Sequence, residues 1–322
     1  MSVVIGLDIG GTKLAGGVLS PDARLLERLE RPTRAEEGVE VSLAEVHDLL
    51  AELRAAAASH GPLAGIGVCA PGPLNQKTGV IFNPTNMPGW LNIPMADQVQ
   101  GRYQVPCRVE NDANGAGLGE AIYGAGRGYS SVFYATVSTG IGTGIILDRR
   151  VYHGKNGAAG EGGHVTIDYR SPAVCKCGNI GCIEALASGT AMARRARELL
   201  GENRGSKLLS LAAGPEQITA ETIARAAASG DALASRLIEE TGELLGVWLG
   251  TVISLLDPDV VVIGGGVSKI GEPLFKTIRE TAPRRSINPF AAQTPIVPAQ
   301  LGDDVGIIGA AAVILSHLGA IQ

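Results

Sequence analysis

Apolar runs and polar breaks divide this chain into strand and helix candidates from its first residues. Residues 3–8 form a continuous apolar run that predicts a strand, and residues 14–20 predict a second. Gly10, Gly11, Thr12 and Lys13 lie between them as a hairpin tip, and residues 24–32 read as a third strand. Residues 42–59 predict a helix with Leu43, Val46, Leu49, Leu50 and Leu53 on one face. Residues 65–70 and 107–110 return as buried strands. Asn111-Asp112 then opens an alanine-rich helix reaching about Tyr123, with Asp112 placed to cap it. Near Ser131 the pattern starts again: strands at 132–138 and 144–147 flank Thr139-Gly140-Ile141-Gly142-Thr143-Gly144, a loose repeat of residues 3–20. Helices are predicted at about 188–200, 219–228 and 231–256. A short strand at 260–263 ends in Gly264-Gly265-Gly266, and helices at 272–282 and 305–317 follow.

Composition narrows the class. A chain of 322 residues is long enough for two α/β domains. Its 45% hydrophobic content supports a buried core, and 4% aromatics means that core must be built from Val, Ile, Leu and Ala. The 45 glycines cluster at predicted strand ends, which suggests tight ligand loops rather than a linker. A net charge of −5 without a long basic run speaks against nucleic acid and anionic membrane as partners. The N-terminus has no basic region or cleavage pattern, and the apolar stretch at 244–256 is too short to span a bilayer. A cytoplasmic location with reduced thiols is the expectation, and Cys69 and Cys107 read as core residues.

Three of the five cysteines crowd into Cys175-Lys176-Cys177-Gly178-Asn179-Ile180-Gly181-Cys182-Ile183-Glu184. With His164 eleven residues upstream, this spacing predicts a Cys3His zinc site of the closed, structural kind. A disulfide across Cys-x-Cys would be strained, and nothing else points to secretion. Asp8-Ile9-Gly10-Gly11-Thr12-Lys13 places a carboxylate before a glycine turn whose backbone N–H groups could cradle phosphate. The turn at 139–144 lacks the spacing of a dinucleotide fingerprint and runs into a strand, and no P-loop pattern occurs. Asn111-Asp112 stands at a strand's carboxyl end, where α/β folds place ligands.

Cys-x-Cys-Gly-x-x-Gly-Cys-x-Glu, preceded by Glu161-x-Gly-His164, resembles the zinc motif of the ROK family of bacterial sugar kinases and related repressors. Similar segments run from residue 4 to about residue 309, and within the family the chain is most similar to ATP-dependent glucose kinases. The resemblance implies an α/β, two-domain, actin-like ATPase (ribonuclease H-like) fold with an interdomain cleft. A small domain would hold residues 1–118 and 301–322, and a large one residues 119–300 with the zinc loop. It implies phosphorylation of D-glucose at the 6-hydroxyl, with ATP and Mg2+ as donor and metal and Asp112 as general base. Sugar contacts would come from Gly72, Asn86, Asn111, Asp112, Glu161, His164 and Glu184. Nucleotide contacts would come from Asp8, Gly10, Gly11, Thr12, Lys13, Thr139, Gly140, Gly264, Gly265 and Gly266. His164 would serve zinc with one ring nitrogen and the sugar with the other. Trp90 would either stack on a sugar face or fill the core. Other hexoses (mannose, fructose, an N-acetylhexosamine) and polyphosphate as donor stay open. A sugar-sensing repressor would need an N-terminal helix-turn-helix, for which a first strand at residue 3 leaves no room. A homodimer or homotetramer is the expected assembly.

Overall fold

The computed structural model describes residues 2–203 and 205–321. The first sheet is built from β1 (Val3–Ile9), β2 (Lys13–Leu19), β3 (Leu25–Pro32), β4 (Leu63–Ala70) and β8 (Cys107–Asn111) in the order β3-β2-β1-β4-β8. β1, β2 and β3 pair antiparallel, while β4 and β8 add on parallel. β5 (Leu74–Asn75), β6 (Val80–Ile81) and β7 (Ile93–Pro94) form a small sheet of their own. α1 (Val39–Ala57), α2 (Met95–Tyr103) and α3 (Asp112–Tyr123) complete the N-terminal elements.

The period-2 alternation of β1 sorts its side chains onto two cores. Val3, Ile5, Leu7 and Ile9 join Val46, Leu49, Leu50 and Leu53 of α1, as the sequence pattern of that helix predicts. Val4 faces the other way, with Ile307, Ala311 and Ile314 of α10 (Val305–His317). Gly6 shares that second face. A Cβ there would collide with the carbonyl of Ile307, so the glycine is what lets α10 lie directly on the sheet. Trp90 is fully buried and donates from Nε1 to Ser42 Oγ at 2.7 Å, which makes it a packing residue rather than a sugar platform.

The second sheet has the order β11-β10-β9-β12-β13, from β9 (Ser131–Val137), β10 (Ile141–Leu147), β11 (Arg150–Val151), β12 (Val260–Gly264) and β13 (Ile296–Pro298). β12 lies parallel to both β9 and β13. The helices around it are α4 (Ile183–Ala187), α5 (Gly189–Leu200), α6 (Leu208–Leu211), α7 (Ala220–Ala228), α8 (Ala232–Leu256) and α9 (Glu272–Thr281).

The chain resolves into two compact units, one of Met1–Ser130, Gly144–Ala159 and Gln300–Gln322, the other of Ser131–Thr143 and Gly160–Ala299. The stretch from Gln300 onward groups with the first unit, where the sequence expectation sets the return at residue 301. The other boundaries differ from it in two stretches. α3 runs unbroken to Tyr123, so a break at 118 would cut a rigid helix. Residues 144–159 belong to the first unit, where His153 hydrogen-bonds Glu110.

Candidate active site

In the first unit, three strand ends gather acidic chemistry. Asp8, Cys69 and Glu110 stand in register across β1, β4 and β8. Burial and the charge of Asp112 push the Asp8 carboxyl up to about 7, with Lys13 pulling partly the other way. The buried Cys69 thiol is raised well above its usual value by desolvation and by Asp8, Glu110 and Asp112. Asp8 also faces α10, where a Cβ on Gly306 would press on its carboxylate. Gly10 N–H donates to Lys13 O at 2.9 Å and closes the first glycine turn. Thr33, absent from the sequence-based set, supports that turn: its hydroxyl donates to Gly10 O at 2.6 Å and its N–H to Thr12 O at 3.0 Å. Thr12 and Lys13 are exposed, and Lys13 pairs with Glu30 at 2.6 Å. Asn86 lies against Gly11, so this predicted sugar contact neighbours the first glycine turn.

The cap of α3 corrects the sequence expectation. Asn111, not Asp112, is the N-cap, its Oδ1 accepting from Ala113 N–H at 3.0 Å and Asn114 N–H at 3.2 Å. Asn111 has the extended backbone a cap requires, whereas Asp112 is already helical. The Asn111 amide nitrogen turns toward Gly72, where an added Cβ would sit 3.6 Å away. Asp112 accepts from Ala113 N–H at 2.8 Å as the first residue of the helix, a favoured place for a carboxylate.

In the second unit, the second glycine turn is held at several points. Ser138 N–H donates to Gly140 O at 2.8 Å, and Thr190 Oγ donates to the carbonyl of the exposed Thr139 at 2.8 Å. The Gly264–Gly266 turn closes on it. Gly265 has φ of 85°, and a Cβ there would strike Val137 O, while one on Gly266 would lie 3.8 Å from Ser138 Oγ. The structure therefore brings the two predicted nucleotide loops of this unit together. Thr143, buried and unforeseen, donates to Gly160 O and accepts from Gly162 N–H at 2.9 Å, pinning the Glu161 segment onto β10.

The metal-ligand set assembles here too. His164, Cys175, Cys177 and Cys182 bring their ligand atoms within 4.8 Å of one another. Cys175 Sγ lies 3.5 Å from His164 Nδ1, and Cys177 Sγ lies 3.7 Å from Cys182 Sγ. A tetrahedral zinc with ordinary Zn–S and Zn–N bonds needs ligand separations of about 3.5–3.8 Å, so the four residues fit the ion. Nδ1 faces the sulfurs, and Nε2 is left on the side of Glu161, whose carboxylate lies 4.0 Å from it. Glu184 reaches the same cluster: Oε1 is 3.6 Å from Cys175 Sγ and Oε2 accepts from Ile141 N–H at 2.9 Å. Glu161 and Glu184 thus both lie beside the His164–Cys175 pair.

A family model for ROK proteins matches residues 4–317. The chain belongs to the ROK family. This ROK protein is 34% identical over 316 residues to a glucokinase from Thermotoga maritima, covering 98% of each chain. Among solved structures it resembles the ROK hexokinase of Thermus thermophilus, with a TM-score of 0.83, 34% identity and coverage of 98% of this chain and 99% of that one. It also resembles a ROK family glucokinase from Streptomyces griseus in complex with glucose and AMPPNP, with a TM-score of 0.82, 33% identity and coverage of 97% and 99%. These neighbours carry the actin-like ATPase fold that the sequence pointed to. Among the described residues no helix is long and apolar enough to cross a membrane.

Proposed function

We propose that this ROK protein transfers the γ-phosphoryl group of ATP to the 6-hydroxyl of D-glucose, giving glucose 6-phosphate and ADP. The observation that carries the reading is the Asn111-Asp112 turn at the end of β8, in a chain that matches glucokinases from end to end. Asn111 serves as the cap of that helix, and the reading gives the neighbouring Asp112 carboxylate the role of base.

In this reading the sugar O6 attacks the γ-phosphorus as the bond to the bridging oxygen breaks, and Asp112 orients the hydroxyl and takes its proton. ADP leaves with the electron pair of the broken bond. The turn that Gly10 closes offers the N–H groups of Gly11 and Thr12 to the phosphates, the second turn offers those of Thr139 and Gly140, and the 264–266 turn takes the adenosine. Asp8 is the residue that would face the Mg2+ of the nucleotide, which would supply neutralisation of the phosphate charge. Asn111 donates from Nδ2 to a sugar hydroxyl, while Glu161, His164 and Glu184 receive others through charge-assisted hydrogen bonds. His164, Cys175, Cys177 and Cys182 would hold a zinc ion, which would set the tautomer of His164 and steady the start of α4, where Glu184 lies. The expected setting is the cytoplasm, and the expected assembly a homodimer or homotetramer.

A coupled kinase assay over a hexose panel, with ATP and polyphosphate compared, tests the reading. Glucose with ATP should give the highest kcat/KM. Turnover confined to another hexose would replace the substrate, and no turnover with any sugar would remove the proposal.

A further inference from the structure

Glu110 precedes the Asn111-Asp112 turn and has no role in the reading above, yet it is the most heavily bonded buried carboxylate beside that turn. It is 5% exposed. Oε1 accepts from Asn111 N–H at 2.9 Å and from Asn114 Nδ2 at 3.1 Å. Oε2 accepts from His153 Nε2 at 2.6 Å. The first two bonds bracket Asp112 on either side in sequence. The third comes from a residue 43 positions later, just past the short strand β11.

The hold on this turn has a visible cost. Asn114 donates to Glu110 from Nδ2 and leaves its own buried Oδ1 without a partner. Flipping the amide would aim its oxygen at the carboxylate and lose that bond. A buried acceptor left unsatisfied is unfavourable, so the Glu110 bonds outweigh it. His153 secures the remaining oxygen of Glu110. Without it that oxygen is buried and unpaired, and the carboxylate gains by turning toward water and releasing Asn111 N–H and Asn114. Asp112, the first residue of the helix between those two contacts, then loses its fixed direction.

We infer that His153, acting through Glu110, is a positioning residue for Asp112. It touches neither sugar nor nucleotide, and its effect is on the orientation of the base. The inference rests on the assignment of Asp112 as the base, and the experiment separates the two. His153→Ala and His153→Leu remove the donor, and His153→Gln restores an N–H at similar reach. Each variant is measured for kcat, glucose KM, melting temperature and deuterium exchange of the segment 110–116. Orientation errors of about 1 Å cost on the order of a hundredfold, so the donor-less variants should lose tenfold or more in kcat. Their glucose KM should stay within about threefold, exchange of 110–116 should quicken, and His153→Gln should recover most of the rate. A kcat within twofold of wild type in His153→Ala and His153→Leu would overturn the inference. So would a loss confined to KM, or a Gln variant no better than Ala. If the wild type phosphorylates no sugar, the functional reading falls, and the exchange of 110–116 in the His153 variants alone decides whether His153 holds the turn.

Discussion

At the scale of single residues, Asp8 offers the sharpest test of electrostatics. Its carboxyl, raised from 3.8 to about 7 by burial and by Asp112, is half protonated near neutrality until a cation arrives. Mg-ATP binding should therefore release a proton near pH 7, and the affinity should fall as pH drops through 7. The KM for Mg-ATP measured from pH 6 to 8.5 checks this, and a flat profile would count against Asp8 as the residue facing the metal. The same shift sets a stability trend. A raised folded pKa favours the folded state at low pH, and that contribution is lost as pH rises from about 4 to about 7. Asp8→Asn should thus stabilise the ligand-free protein at pH 8 by up to about 4 kcal/mol and leave it unchanged near pH 4. Melting curves at the two pH values decide it.

At the scale of elements, caps and loops separate structure from chemistry. Asn111→Ala removes the acceptor of two helix N–H groups and should cost about 1 kcal/mol in chemical denaturation. The zinc loop should hold about one zinc per chain. Cys177→Ser should lose the metal, lower the melting temperature and weaken glucose binding together, because His164 and Glu184 are fixed by the same cluster. A metal-free wild type with full activity would remove the zinc assignment. The elements also show what a sequence can display. Long apolar runs and glycine turns made β1, β4, β9 and β12 readable, and the Cys-x-Cys-x4-Cys spacing led to ligands that do converge. The two-residue strands β5, β6 and β7 are too short to have a period. Asn and Asp are equally good caps, so composition could not choose between neighbours at 111 and 112. The Glu110–His153 and Thr143–Gly160 bonds join residues 43 and 17 positions apart and leave no local pattern.

At the scale of the whole molecule, the C-terminal return is anchored by one buried carboxylate. Glu120 Oε1 accepts from Gln300 N–H at 2.9 Å and Leu301 N–H at 2.8 Å, and Oε2 from Ala125 N–H at 2.8 Å. Glu120→Ala strands three donors and should destabilise the first unit by several kcal/mol, seen as a lower melting midpoint. The central claim is that this ROK protein uses one carboxylate, Asp112, as the base for glucose phosphorylation. The most direct measurement is kcat of Asp112→Asn beside its melting temperature and its glucose Kd. The account predicts a kcat lower by about a hundredfold to ten-thousandfold, with fold and most sugar affinity kept. A kcat near that of the wild type would contradict it.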